Sequence, residues 1–138
     1  MGGVGGTLAG NPISVAAMRA TLGEVLTDDA FVGMTDLATR FVEGVESALD
    51  KYELPWSIRQ LGARAEYRFT SPAPRNGTES AAAHNVGLDD YIHLYLANRN
   101  ILLTPFHAMA LMCPATEVED IDRHTDVFHQ AAADLVGA

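Results

Sequence analysis

Residues 54–71, LPWSIRQLGARAEYRFTS, decide the fold, because the hydrophobic rhythm changes there from one of three and four to one of two. Pro55 holds Leu54 in extended geometry, so the helical pattern before it ends. Trp56, Ile58 and Leu61 come next, followed by RAEYRFTS, and the stretch is predicted to form two short strands joined at Gly62. Upstream, Met34, Leu37, Phe41, Val45, Leu49 and Tyr52 recur at helical spacing behind Thr27, Asp28 and Asp29, which favour a helix N-terminus. That is the stripe of a long core helix. An earlier helix is predicted from Pro12 to about Leu26, capped by Asn11 and buried along Val15, Met18, Leu22 and Val25/Leu26.

Downstream, residues 72–85 (PAPRNGTESAAAHN) carry few large apolar side chains and are predicted to be a surface loop. GLDDYIHLYLANRN is predicted to be a third helix, with Tyr91, Leu94 and Leu96 on its apolar side. ILLT and AMALM are predicted strands around the turn Thr104-Pro105-Phe106-His107. The last helix opens on a capping-box pattern at Thr116 and Glu119 and runs through Ile121, Val127 and Phe128 to Leu135. Strands this closely linked cannot all be joined by parallel crossovers. The expected fold is therefore α+β, a two-layer sandwich of a small antiparallel or mixed sheet with helices on one face.

The 138 residues suffice for one domain, and 18 acidic against 9 basic residues give a formal net charge of −9. No basic cluster in the sequence marks a phosphate-backbone footprint, so nucleic acid is not an expected partner. No apolar run approaches the roughly 20 residues that cross a bilayer, and neither a membrane span nor a secretory signal is expected. The single cysteine, Cys113, lies in an apolar run and is read as a small core residue, which fits a reducing cytoplasm. The basic residues are eight arginines and one lysine, Lys51.

The remaining chemistry is sparse. The glycine-rich segment Gly5-Gly6-Thr7-Leu8-Ala9-Gly10 has neither a P-loop ending nor dinucleotide spacing. It does put a hydroxyl and several N–H groups directly before a helix, where an anion can bind. His124 and His129 are five apart, so they do not share a helix face as a metal pair would, and EDIDRHTD is read as a solvated face. His107 stands in a turn between apolar segments, where a structural role competes with one in a cleft. Neither a Ser-His-Asp nor a Cys-His set can be assembled, and no metal site is expected.

Two segments carry a resemblance. GGTLAGNPISVAAMRATL (5–22) is similar to the Gly-Thr-x-x-Gly-Asn-Pro stretch and following helix of class-III pyridoxal-phosphate-dependent aminotransferases. LYLANRNILLTPFHAMALMCPATEVEDIDR (94–123) is similar to their closing pattern, especially in the subgroup containing glutamate-1-semialdehyde aminomutase. The two segments stand in the family's order and bracket most of the chain.

The resemblance implies a C-terminal small domain over 12–138 and, over 1–11, a loop whose Gly5, Gly6 and Thr7 approach the cofactor. Thr7 would touch the phosphate of pyridoxal 5'-phosphate across a homodimer interface. It also implies an upstream large domain that supplies the lysine holding the cofactor, a role Lys51 does not fit near the end of a solvated helix. The chain alone would then be inactive, with no catalytic residue of its own. In aminomutases a glutamate tends to follow the phenylalanine of the turn, whereas here His107 follows Phe106, and the carboxylate-binding arginine that some relatives place in this turn is absent. The resemblance therefore favours a transaminase for a small amino acid or amine, with Phe106 and His107 lining the substrate entrance. The alternatives are an aminomutase, or a non-catalytic dimerisation module that retains the fold.

Overall fold

The computed structural model describes residues 5–6, 9–104 and 107–137. The first helix, α1 (Pro12–Ala20), continues through a π-helical turn, Thr21–Val25. It starts as the sequence requires: the Asn11 side chain accepts the Ser14 N–H at 3.0 Å, and Pro12 takes the first helical position. Its burial departs from expectation. Val15, Met18, Leu22 and Val25, predicted to face the core, are 48–63% exposed. An apolar stripe says that a face is to be covered without saying by what, and the core of this chain lies elsewhere.

That core forms around α2 (Asp28–Lys51). Thr27 caps it by accepting the Ala30 N–H at 3.2 Å, and Asp28 and Asp29 sit in the positive first turn. Met34, Ala38, Phe41, Val45, Ala48 and Leu49 are buried along one side, whereas Leu37 and Tyr52 lie half-buried at its margin. This side packs on α5 (Val118–Gly137), which contributes Ile121, His124, Val127, Phe128, Ala131 and Ala132. Arg40 grips Asp122 with two parallel bonds, Nε to Oδ1 at 2.6 Å and Nη2 to Oδ2 at 2.9 Å, fixing the register of the two helices at their exposed edge.

The sheet is three-stranded and wholly antiparallel, in the order β1 (Ser57–Leu61), β2 (Arg64–Arg68), β3 (Met109–Leu111). Gly62 turns the first hairpin with φ +56°, the left-handed backbone that a two-residue turn with glycine in first place uses. Ile58, Ala65 and Tyr67 point into the core, and Leu61, expected inside, is 72% exposed on the opposite face. Residues 101–104 were predicted to be a strand and are not one. Leu103 points inward, but the Ile101 N–H returns to the Leu96 carbonyl at 3.0 Å, leaving only the Thr104 N–H to reach the Met109 carbonyl, at 3.3 Å.

The predicted loop 72–85 contains a short helix, α3 (Gly77–Ala82). Asn76 caps it by accepting the Glu79 N–H, while the Glu79 carboxylate accepts from the Arg75 N–H and from Asn76 Nδ2. This reciprocal pattern resembles a capping box, except that the carboxylate takes the backbone N–H of the residue before the cap. Helix α4 (Val86–Ala97) buries Ile92 and Leu96, while Leu94, predicted to be core, faces solvent. At α5 the reciprocal bond is made by the Asp120 carboxylate, which accepts the Glu117 N–H at 3.0 Å, and Thr116 instead accepts the Cys113 N–H.

Trp56 closes the core between Phe69 and Phe128, with ring centroids at 4.8 and 6.4 Å. Phe128 also meets the Tyr67 ring of the sheet at 5.2 Å. Helices α2 and α5 thus cover one sheet face and leave the other open. The α+β two-layer reading stands. Among the described residues no helix is long and apolar enough to cross a membrane.

Candidate functional site

Two regions bear on function: the glycine turn before α1, and the open face of the sheet with the turn before β3. In the first, the Ala9 N–H closes a turn on the Gly6 carbonyl at 3.2 Å. Gly6 has φ +102°, and among the described residues nothing lies within 4 Å of where a Cβ would sit on Gly5 or Gly6. The result is an uncovered backbone leading into a capped helix start, a shape that fits an anion such as a phosphate. Thr7 lies outside the described residues.

The second region follows from strand alternation, which puts Arg64, Glu66 and Arg68 of β2 on the open face opposite Leu61, Arg59 and Ser57 of β1. Glu66 Oε1 lies 2.8 Å from Arg68 Nη2 and 3.5 Å from His107 Nδ1. His107, singled out from sequence, is thereby brought to the edge of the sheet, half-exposed, and Glu66 links it to Arg68. Phe106 lies outside the described residues. The sequence signal for this face was the alternation of charges in RAEYR, which does not say which side the helices cover.

His93 of α4 holds the turn from below. Its Nδ1 lies 2.8 Å from the Asp89 carbonyl, and its Nε2 lies 3.1 Å from that of Thr104 and 3.2 Å from that of His107. Burial pulls the imidazole pKa down, but bonds to three carbonyls, with the nearby Asp89 carboxylate, outweigh burial and leave it raised. With carbonyls at both nitrogens, the imidazolium form satisfies every contact.

Other groups do not assemble into a site. Cys113, expected in the core, is exposed, and the Thr116 hydroxyl beside its sulfur helps to lower the thiol pKa. Ser47 Oγ lies 2.9 Å from His129 Nε2 but donates its own proton to the Gly44 carbonyl. The imidazole must then donate to the hydroxyl, the reverse of what an activated nucleophile needs. Lys51 closes α2 exposed, with its Nζ 5.1 Å from the centre of the Tyr52 ring. Among the described residues no group of His, Cys, Asp or Glu could hold a metal.

The charged side chains of EDIDRHTD lie at the surface, as expected, whereas Ile121 and His124 are buried. His124 is only 4% exposed, its ring centroid lies 4.4 Å from that of Phe41, and it is stacked on Phe128 at 5.6 Å. Among the described residues neither ring nitrogen has a hydrogen-bond partner, and burial pushes the pKa down to about 3.

No family model matches the chain. Known proteins do. A glutamate-1-semialdehyde 2,1-aminomutase 2 from Anoxybacillus flavithermus is 32% identical over 132 residues, covering 94% of this chain and 30% of that protein. The glutamate-1-semialdehyde 2,1-aminomutase of Neisseria meningitidis serogroup B is 31% identical over 107 residues. In three dimensions, a crystal structure of a glutamate-1-semialdehyde-aminomutase from Pseudomonas aeruginosa PAO1 superimposes with a TM-score of 0.91 at 49% identity. It covers 95% of this chain and 29% of that one. The chain is homologous to the small domain of class-III pyridoxal-phosphate-dependent aminotransferases. An omega-transaminase from Sphaerobacter thermophilus shares the fold of this small domain, at TM-score 0.76 and 20% identity. The small domain spans about 30% of the length of the curated relatives it matches.

Proposed function

We propose that this chain is the C-terminal small domain of a pyridoxal-phosphate-dependent transaminase that moves an amino group between an amino acid or amine and a keto acid. The likeness to the Pseudomonas aeruginosa enzyme, at 49% identity over 95% of this chain, carries the small-domain and cofactor reading, and His107 after Phe106, where aminomutases tend to carry glutamate, favours the transaminase. One crystal structure of that enzyme is a complex with PMP. When bound, the cofactor supplies the electron sink for amino-group transfer.

The residues of this chain have supporting roles. The segment 1–11 forms a phosphate-facing loop, in which the open backbone at Gly5 and Gly6 lets Thr7 reach the cofactor phosphate of the partner subunit in a homodimer. Phe106 and His107 line the substrate entrance; Glu66 orients the His107 ring, and His93 fixes the turn that carries both. Lys51 does not fit as the residue that holds the cofactor, since it stands exposed against Tyr52 at the end of α2. That lysine belongs to an upstream large domain, and the working enzyme is a cytoplasmic homodimer.

Two measurements test this. Borohydride reduction of the native enzyme, followed by peptide mapping, is expected to place the cofactor on a lysine upstream of Gly5. The 138-residue chain mixed with the cofactor is expected to form no reducible visible band, and an adduct on Lys51 would overturn the reading. The exposed α1 stripe gives a further prediction. Leu22→Glu, at a position 63% exposed in this chain, should change the stability of the isolated chain by no more than about 0.5 kcal/mol. In the full-length enzyme, where the large domain is proposed to cover the stripe, the same change should lower the melting temperature clearly. Equal effects in both forms would remove the stripe as that contact.

The activity carried by the relatives' names favours a second reading, a glutamate-1-semialdehyde 2,1-aminomutase. Turnover of glutamate-1-semialdehyde without an added amino acceptor would select it over the transaminase.

A further inference from the structure

The turn of residues 104–107 is stitched to itself by two long bonds, His107 N–H to the Thr104 carbonyl and Thr104 N–H to the Met109 carbonyl, each 3.3 Å. One side chain ties both ends of it to α4. Nε2 of His93 stands 3.1 Å from the Thr104 carbonyl and 3.2 Å from that of His107, so a single N–H is shared between them. Nδ1 is anchored 2.8 Å from the Asp89 carbonyl, one helical turn back.

Both nitrogens therefore face acceptors, and a neutral imidazole has only one N–H. If Nε2 keeps it, the turn is held but Nδ1 sets a lone pair against the Asp89 oxygen. If Nδ1 keeps it, Nε2 repels the carbonyls of Thr104 and His107. Only the cation satisfies all three. In α4 the Asp89 carboxylate, which also takes His84 Nδ1 at 3.0 Å, attracts the charge, while Asp90 is exposed. Across the turn stands Glu66 of β2, paired with Arg68 at 2.8 Å and 3.5 Å from His107 Nδ1. The α5 carboxylate that meets α4, Asp134, accepts from Tyr95, two residues on and so on the opposite side of the helix. Burial opposes the charge, yet the three carbonyl bonds and Asp89 leave the imidazole pKa raised from 6.5.

We propose that His93 is a positioning residue: its protonation latches the 104–107 turn to α4, so that substrate binding at that turn tightens in acid and slackens in alkali. This rests on the transaminase reading, in which the turn lines the substrate entrance. Because the folded state holds the proton more tightly than the unfolded one, the latch is complete below pH 6.5 and is lost as pH rises through the raised value.

The 138-residue chain is followed by NMR from about pH 5 to pH 10, observing the histidine ring nitrogens and the backbone N–H signals of Thr104 and Met109. The His107→Asn variant removes the other imidazole at the turn. In it, His93 is expected to carry protons on both nitrogens at about pH 6, and the Thr104 and Met109 signals to move as that ring titrates. In the full-length enzyme, His93→Gln, which keeps a neutral donor, is compared with the unaltered protein using 4-aminobutanoate, or glutamate-1-semialdehyde for the aminomutase reading. KM is expected to rise about 10-fold at pH 6 with kcat within about twofold, and the difference in KM to shrink to about twofold at pH 9. A merely structural role gives a KM ratio that does not change with pH, and that result overturns the proposal. A neutral His93 at about pH 6, or turn signals that ignore its titration, overturns it too. If neither compound is turned over, the enzyme reading fails, while the NMR titration still decides whether His93 latches the turn.

Discussion

Replacing His124 with leucine is expected to raise the melting temperature of the chain, and to raise it more at pH 5 than at pH 8. The imidazole is enclosed between Phe41 and Phe128 with no partner for either nitrogen among the described residues, and burial pushes its pKa from 6.5 to about 3. The folded state therefore holds the ring neutral. Above pH 6.5 neither state binds a proton here, and the ring costs only its two unsatisfied nitrogens, about 1–3 kcal/mol. As pH falls below 6.5 the unfolded chain takes up a proton that the folded chain refuses, so stability declines until the pH nears 3. At pH 5 that difference amounts to about 2 kcal/mol. Leucine has neither unsatisfied nitrogens nor a proton to gain. Thermal melts of both proteins across this pH range are the check. If the gap between them does not widen on acidification, His124 has a partner in solution.

The second large effect lies in the same interface of α2 and α5, at the residue next to His124. A Cβ placed on Gly44 would press into Thr125, with Cγ2 at 2.9 Å and Cβ at 3.1 Å, besides a still closer approach to Oγ1. Gly44→Ala is therefore expected to force the helices apart and cost about 1–3 kcal/mol. The control is in the same helix. Nothing lies within 4 Å of a Cβ on Gly33, so Gly33→Ala should add up to about 1 kcal/mol from helix propensity alone. Thr125→Ala should recover part of the Gly44→Ala loss in a double-mutant cycle. Denaturant melts in which both glycine variants shift the same way would contradict the close approach of the two helices.

These two sites mark where sequence reading reaches its limit. The helical stripe of α2 and the hairpin of residues 57–68 were legible, because both rest on local periodicity and on punctuation at Pro55 and Gly62. His124 sat within a charged octet and was read as solvated with its neighbours, since the helix face buried by the fold is narrower than the run of charges around it. The same gap between pattern and partner explains α1, where Met18 and Leu22 form a proper apolar face that nothing among the described residues covers. The capping pattern at Asn76 and Glu79 was present in the sequence, but it opens a helix of only six residues, too short to show a period. Of the candidate site, His107 was identified in its turn. Its link to Glu66 and the arginines needed the β2–β3 register, which no local pattern carries.

Trp56, the only tryptophan, gives the fold an optical handle. Its indole is buried between Phe69, just past β2, and Phe128 of α5, so its emission depends on the packing of the C-terminal helix against the sheet. A blue-shifted signal marks the closed domain, and a red shift on heating or in denaturant reports the undocking of α5. The closure of the domain can thus be followed by intrinsic fluorescence, without a label.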